Sequence, residues 1–135
     1  MHDPNGETAK KVLVKIKKPT LVIGASEKSD RYSYRAVKML LAHGHPVWAI
    51  GRRKGKIGDT IIETEPIFPE NLDTLTLYLS PENQKSYYDF ILSLRPKRII
   101  FNPGTENPEL SEIAESIGIQ CIEGCTLVML QTEQF

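Results

Sequence analysis

The stretch LVIGASEKSDRYSYRAV, Leu21 to Val37, joins an apolar run to a helical pattern through a turn that begins with a glycine. The short apolar run predicts a β-strand, and the amphipathic pattern behind it predicts an α-helix. This order is typical of a nucleotide-binding unit, but a dinucleotide fingerprint requires G-x-G-x-x-G. Counting from Gly24, Ser26 and Ser29 occupy the positions of the second and third glycines. The turn therefore departs from an NAD site.

Short apolar runs and amphipathic segments alternate along the rest of the chain. The predicted strands are TLVIGA (20–25), PVWAIG (46–51), LTLYLS (75–80), RIIFN (98–102) and IQCIE (119–123), with TIIET (60–64) as a candidate short extra strand. Strands joined by crossover helices run parallel. The pattern therefore predicts a doubly wound α/β fold, with helices on both faces of a mainly parallel sheet.

The polarity of each run predicts its place in the sheet. LVI, VWAI and IIF are continuous apolar runs, which indicates strands buried on both faces. LTLYL and IQCI interleave polar residues, as edge strands do. We therefore expect five strands in the order 3-2-1-4-5, with the order reversing between the first and fourth strands.

Three residues are predicted to cap helices at their N-termini. Ser33 is placed to cap the first helix, Ser80 a helix with Pro81 at its first position, and Asn107 a helix that begins at Pro108. The segment TLVMLQ (126–131) is a candidate for a last helix.

The composition predicts a single globular domain without a global electrostatic field. The chain has 135 residues with 17 basic and 17 acidic side chains, which gives no reason to expect nucleic acid binding. No apolar run approaches the roughly 20 residues that span a membrane. The polar start has no apolar core of a signal peptide, so we expect a cytoplasmic protein.

The two cysteines predict neither a disulfide framework nor a metal site, because no nearby histidine completes a zinc quartet. Cys121 lies in the last predicted strand. Cys125 precedes the last predicted helix, whose N-terminus would lower the pKa of its thiol and favour a mixed disulfide with a thiol ligand. Burial as an inert apolar residue is the alternative.

Residues 1–18 are predicted to be an N-terminal extension to a domain of residues 19–135. The segment KKVLVKIKK alternates Val12, Val14 and Ile16 with lysines, which favours an added edge strand guarded by its lysines. A membrane-surface segment is the alternative, although Leu13 interrupts the basic face and Pro19 ends the pattern.

Four loops should meet where the strand order reverses, which is where doubly wound sheets bind ligands. They are GASEKSDRYS (24–33), GRRKGKIGD (51–59), SPENQ (80–84) and NPGTENP (102–108). Gly24 permits close backbone approach, and free N–H groups near Ser33 form an anion site strengthened by the helix dipole. Ser26 and Ser33 supply hydroxyls, and Arg31 lies in the same loop.

A run of cations follows the second predicted strand: Arg52, Arg53, Lys54 and Lys56. Such a run is usually a solvated turn, but the end of a central strand favours phosphate binding. An NAD site requires Asp or Glu here for the ribose 2′-hydroxyl, whereas this chain has Gly51 and Arg52. The pattern favours NADP or coenzyme A, since both ligands carry a ribose phosphate.

Two long segments resemble the stand-alone CoA-binding domain proteins, a Rossmann-like family similar to the N-terminal domain of the succinyl-CoA synthetase alpha subunit. They are LVIGASEKSDRYSYRAVKMLLAHGHPVWAIGRR, followed by GD, and NPGTENPELSEIAESIGIQCIEGCTLVML. The resemblance implies that the first turn holds CoA phosphates, with further contacts after the second and third strands. The synthetase also has a domain with a phosphorylated histidine, for which this chain has no room, so its chemistry is not implied.

The loops and the resemblance together define the candidate ligand-binding residues, with no catalytic residue and no metal ligand among them. They are Gly24, Ala25, Ser26, Arg31, Ser33, Tyr34, Gly51, Arg52, Arg53, Lys56, Ser80, Pro81, Asn102, Pro103 and Gly104.

We expect a module that binds coenzyme A or an acyl-CoA without catalysis of its own. One alternative is an NADP-dependent reductase or NADP-binding protein, for which Tyr32 and Tyr34 are the proton donors at hand. Another is a protein-interaction domain that keeps the fold without a ligand. Assembly with a second copy or with a protein partner stays open.

Overall fold

The structure, a computed structural model, describes residues 16–135. The edge strand predicted around Val12 and Val14 lies outside the described residues. Seven strands are present: β1 (Thr20–Ile23), β2 (Val47–Ile50), β3 (Gly55–Ile57), β4 (Thr60–Glu63), β5 (Thr74–Leu77), β6 (Arg98–Phe101) and β7 (Gln120–Glu123). The α-helices are α1 (Tyr32–Ala42), α2 (Pro81–Gln84), α3 (Tyr88–Leu94), α4 (Pro108–Ser116) and α5 (Thr126–Gln131), with a 3₁₀ turn at Lys85–Tyr87.

The strands form one sheet in the order β3-β4-β2-β1-β5-β6-β7. All neighbours are parallel except β3 and β4, which form an antiparallel hairpin. The mainly parallel α/β fold is confirmed, but the prediction of five strands in the order 3-2-1-4-5 is wrong. The position beside β2 belongs to β4, the candidate extra strand, and β5 lies between β1 and β6.

Two buried threonines give the central strand β5 the polar alternation of an edge strand. Thr74 and Thr76 have no exposed surface, yet both hydroxyls are hydrogen-bonded inside the protein. Thr74 Oγ1 donates to Asp73 Oδ1 at 2.7 Å, and Thr76 Oγ1 accepts from Asn102 Nδ2 at 2.6 Å. A hydrogen-bonded hydroxyl costs little to bury, so polar alternation occurs here in a central strand.

The helices cover both faces of the sheet, as predicted. On one face, Leu21, Leu75 and Ile99 pack with Ile91 of α3 and Leu110 of α4. On the other face, Val22 and Ala49 pack with Val37 and Leu40 of α1 and with Leu130 of α5. No helix in residues 16–135 has the length and apolar character that crossing a membrane requires.

Two of the three predicted N-caps are confirmed. Ser80 Oγ accepts from the N–H of Asn83 at 3.4 Å, and Asn107 Oδ1 accepts from the N–H of Leu110 at 3.1 Å. The Ser33 cap is wrong, because α1 begins at Tyr32, two residues before the Tyr34 start that a cap at Ser33 would give. Arg31 is the N-cap, without a side-chain hydrogen bond, and Ser33 is buried within the first turn.

Candidate functional site

The strand order reverses between β1 and β5, rather than between β1 and β6 as the sequence suggested. Because β2, β1, β5 and β6 are parallel, the loops that follow them lie at one edge of the sheet. These are the four loops predicted to meet there. We call this edge the loop edge.

Gly24 brings the first loop into contact with the loop after β5. Its φ is +95°, and a Cβ at this position would lie 2.8 Å from both the carbonyl carbon and the oxygen of Tyr78. The N–H groups of Gly24 and Ala25 both donate to the carbonyl of Ile50 at 2.9 Å. The close approach that Gly24 permits is therefore between two parts of the protein's own backbone.

The start of α1 differs from the start of α4 in its capping. Its first turn has no acidic residue and Arg31 provides no side-chain cap. In contrast, α4 has the Asn107 cap and Glu109 in its first turn. The free N–H groups and the helix dipole of α1 therefore favour an anion.

The side chains around this helix start differ in their accessibility. Ser26 Oγ accepts from the N–H of Lys28 at 3.2 Å, within the loop itself. Arg31 is exposed, whereas Tyr34 is half-buried against the α1 face of the core. The exposed side chain of Arg31 is therefore accessible to an anion that binds at the start of α1.

The cations after β2 are exposed, as a phosphate site requires. Arg52, Arg53, Lys54 and Lys56 all project to solvent, and within residues 16–135 no ion pair engages them. Gly51 lies beneath them and is buried, and a Cβ there would collide with the carbonyl oxygen of Ala25. The loops after β1 and β2 are thus packed together at their bases, with the cations on the outside.

Asn102, predicted to bind the ligand, has its amide turned into the protein. It is 2% exposed, and its Nδ2 donates to Thr76 Oγ1 at 2.6 Å and to the carbonyl of Leu77 at 2.8 Å. Its Oδ1 accepts from the N–H of Thr126 at 2.9 Å. Thr76 and Thr126 are joined through their hydroxyls at 2.8 Å. We call Thr76, Asn102 and Thr126 the floor cluster, which fixes the loop edge from below.

Pro103 and Gly104 follow Asn102 and are exposed. The N–H of Gly104 donates to Glu106 Oε1 at 2.8 Å. Ser80 is exposed and Pro81 half-buried at the start of α2. These backbone positions remain accessible at the loop edge, while the Asn102 side chain supports them.

A second buried network, which sequence reasoning missed, ties the loop after β5 to the loop after β6. Gln84 is fully buried, and its Nε2 donates to the carbonyls of Leu79 and Thr105, each at 2.8 Å. Asn107 Nδ2 donates to Gln84 Oε1 and to the Tyr88 hydroxyl, each at 2.8 Å. The polar segment NPGTENP indicates turns, but nothing in it indicates the hydrogen bond between Asn107 and Gln84, which are 23 residues apart.

Tyr78 lies above the floor cluster and is also absent from the predicted set. Burial raises the pKa of its phenol well above the ordinary range, although hydrogen bonding to Thr126 and Thr76 opposes the shift. A phenol with a raised pKa stays protonated and remains a hydrogen-bond donor near neutral pH.

The two cysteines have different surroundings. Burial raises the pKa of the Cys121 thiol to about 11, and the charge of Glu115 adds to the shift. Cys121 is therefore protonated and unreactive near neutral pH. Cys125 is half-buried at the N-cap of α5, the last predicted helix.

In the part of the chain that the structure describes, no three His, Cys, Asp or Glu side chains are grouped to hold a metal ion. Two cavities lie away from the loop edge. One, of about 560 Å³, is lined in part by Trp48 and Thr60, and another, of about 430 Å³, by Glu115 and Cys121. A ligand at the loop edge would thus lie across the loops rather than inside either cavity.

Comparisons with known proteins concern the family and the fold. Residues 18–131 match the family model described as CoA binding domain. No curated protein matches the chain. An uncharacterized protein with a crystal structure is 49% identical, with a TM-score of 0.87 over 90% of this chain and 100% of that one.

Two further structures are similar in fold. A hypothetical protein from Pyrococcus horikoshii OT3 is 22% identical, with a TM-score of 0.78 over 93% of this chain and 89% of the other. A Thermus thermophilus protein is 18% identical, with a TM-score of 0.79 over 96% of this chain and 98% of the other.

Proposed function

Since the chain belongs to the CoA-binding domain family, we propose that it binds coenzyme A or an acyl-CoA across the loop edge. The ligand's phosphates lie between the start of α1 and the cations after β2. The module has no catalysis of its own in this proposal, and acts in regulation or beside a protein partner in the cytoplasm. Residues 19–135 form the binding domain, and residues 1–18 extend it.

One observation carries the proposal: a helix start without a side-chain cap lies at the same edge as a run of exposed cations. The first turn of α1 lacks both a cap and an acidic residue. Arg52, Arg53 and Lys54 are exposed after the adjacent strand β2. Backbone N–H groups and cationic side chains are the two kinds of donor that proteins use to bind phosphates.

Different residues suit different parts of the ligand. Arg31 and the N–H groups of α1 suit the pyrophosphate, and Arg52 and Arg53 suit the 3′-phosphate of the ribose. Gly51 contributes through its backbone only, because its Cα packs against Ala25. Asn102 acts through the floor cluster, by holding the loops that the ligand contacts.

NADP is the second candidate, and one observation favours it. Gly51 and Arg52 stand at the end of β2, where NADP sites place an arginine that accommodates the 2′-phosphate. Coenzyme A is preferred because it agrees with the family match. The two ligands differ in phosphate position and in the pantetheine arm.

Calorimetry with coenzyme A, dephospho-CoA and NADP⁺ distinguishes the candidates. Arg52→Gln should weaken coenzyme A binding by about tenfold to a hundredfold, which corresponds to a lost hydrogen bond to a charged group. It should leave dephospho-CoA binding within about twofold of wild type. Lys97→Gln is the control, since Lys97 is 80% exposed and precedes β6 at the opposite edge.

Equal affinity for coenzyme A and dephospho-CoA would remove the role proposed for Arg52. Tighter binding of NADP⁺ than of coenzyme A would replace the first candidate by the second. If none of the three ligands binds, the domain is better explained as a protein-interaction module.

A further inference from the structure

A contact between Glu27, which is absent from the predicted set, and Lys56, which belongs to it, joins the loop after β1 to the hairpin of β3 and β4. Glu27 Oε2 accepts from the N–H of Lys56 at 3.4 Å. A Cβ on Gly55 would lie 2.5 Å from that oxygen and 2.8 Å from Glu27 Cδ. The carboxylate therefore lies against the backbone of Gly55 and Lys56, in space that a side chain on Gly55 would occupy.

The position of this contact matters because the two loops touch at two points. At their bases, the Cα of Gly51 packs against the carbonyl of Ala25. Farther out, Glu27 reaches Gly55 and Lys56. Arg52, Arg53 and Lys54 lie between these two points along the chain, so the segment that carries them contacts the loop after β1 at both of its ends.

The carboxylate has the attributes of a phosphate oxygen at this place. It is an anion, it accepts from a backbone N–H, and it lies next to a glycine with no side chain. Within residues 16–135, no ion pair joins it to Arg52, Arg53 or Lys54. The contact is thus backbone recognition of an anion, with the neighbouring cations left for another partner.

We propose that Glu27 is an internal competitor for the phosphate site: its carboxylate holds the Lys56 N–H in the free protein, and a ligand phosphate displaces it. The inference deepens the proposed function and rests on it for the identity of the ligand. Glu27 thereby determines how much negative charge a ligand needs in order to bind at this place. A pyrophosphate or a phosphorylated ribose displaces the carboxylate, and an uncharged nucleoside does not.

The test titrates the full ¹⁵N-labelled chain with inorganic pyrophosphate and, separately, with coenzyme A. Glu27→Gln keeps an acceptor but removes the charge. Two unit charges about 4 Å apart in water interact strongly enough to change affinity about fivefold. We therefore expect Glu27→Gln to bind pyrophosphate about three- to tenfold more tightly than wild type. Glu112→Gln, a charge removed from an exposed position on α4, should match wild type within about twofold.

The amide resonance of Lys56 provides the second readout. In wild type it should shift on addition of pyrophosphate, as one acceptor replaces another. Unchanged or weaker pyrophosphate binding by Glu27→Gln, or a Lys56 resonance that pyrophosphate leaves unmoved, would overturn the proposal. Lower stability in urea without tighter binding would assign Glu27 a purely structural role.

The two proposals fail in different ways. If pyrophosphate behaves as expected but coenzyme A binds neither protein, Glu27 competes for a phosphate site and the coenzyme A assignment is wrong. If coenzyme A binds wild type and Glu27→Gln equally while pyrophosphate binding does not tighten, the assignment stands and the role of Glu27 is rejected.

Discussion

Single atoms at the loop edge decide how closely the loops pack. A Cβ on Gly24 would clash with the backbone of Tyr78. A Cβ on Gly51 would clash with the backbone of Ala25. Glycines elsewhere, such as Gly118, have positive φ but nothing within 4 Å of the Cβ position. The same residue type therefore serves close packing in one place and backbone conformation alone in another.

Gly24→Ala should separate these two roles. Its φ of +95° resembles the +89° of Gly118, so both alanines carry similar backbone strain. We expect Gly118→Ala to lower the free energy of unfolding by about 1 kcal/mol. Gly24→Ala should cost about 1–3 kcal/mol more, because of the clash with Tyr78. Urea denaturation measures both, and equal losses would show that Tyr78 moves aside freely.

His45 should make stability depend on pH. The backbone N–H of Lys18 donates to His45 Nδ1 at 2.9 Å, which requires this nitrogen to be unprotonated. Burial lowers the pKa of His45, as do the charges of His43, Lys18 and Arg98, while Asp73 opposes them. The unfolded chain therefore binds the proton more readily. Stability is present in full above the unfolded pKa of about 6.5 and decreases as the pH falls below it.

His45→Asn tests this pH dependence, since an amide oxygen can replace Nδ1 as the acceptor. Urea denaturation between about pH 7.5 and pH 5 should give a smaller decrease in unfolding free energy for His45→Asn than for wild type. His43→Asn removes one of the charges that lower the pKa of His45, so its slope should lie between those of wild type and His45→Asn. Identical slopes for wild type and His45→Asn would contradict the prediction.

Elements are joined beneath the loop edge by side-chain hydrogen bonds as well as by apolar packing. The floor cluster links β5, β6 and the start of α5, and the Gln84–Asn107 network links α2 to α4. Buried polar groups with full sets of partners fix the relative positions of the elements that carry them. The loops that would contact a ligand therefore start from fixed points.

Asn102→Ala should weaken this support. It removes the side-chain partner of the Thr126 N–H and of the Leu77 carbonyl and one of the partners of Thr76 Oγ1, which we expect to lower the free energy of unfolding by about 2–4 kcal/mol. Hydrogen exchange at the Thr126 amide should accelerate. Asn83→Ala, at an exposed position in α2, is the control and should change stability by less than about 0.5 kcal/mol. If Asn102→Ala also lowers the free energy of unfolding by less than about 0.5 kcal/mol, water replaces the hydrogen bonds of the amide.

Helices that begin with a capping residue followed by a proline were predictable from the sequence. Ser80 with Pro81 and Asn107 with Pro108 mark helix starts, and the structure confirms both. The order of the strands was not predictable from the sequence, because it depends on contacts between residues that are distant in sequence. The buried threonines of β5 imitate an edge strand, and their burial follows only from Asn102 and Thr126, which lie 26 and 50 residues from Thr76.

At the scale of the whole molecule, the two edges at which the parallel strands begin and end carry different groups. The loop edge carries the glycines, the cations and the start of α1. The opposite edge holds Arg98, 8% exposed, with its guanidinium 4.4 Å from the ring centre of Phe135. Composition could not predict this division, but the position of the cations after β2 did predict the edge at which they lie.

Coenzyme A should stabilise the whole domain through binding to the folded state alone. At 100 times its dissociation constant, a ligand adds about 2.7 kcal/mol to the free energy of unfolding. The urea midpoint should therefore rise with coenzyme A concentration and rise less with the same concentration of dephospho-CoA. An unchanged midpoint with coenzyme A at millimolar concentration would argue against binding.

Trp48, on the wall of the larger cavity, also gives the domain an optical property. It is the only tryptophan of the chain and lies in β2, three residues before Gly51 and therefore about 10 Å along the strand. An indole so placed reports on events at the strand's end through its emission. Binding of a polyphosphate at the loop edge can thus be followed by intrinsic fluorescence, in a stopped-flow instrument and without any label.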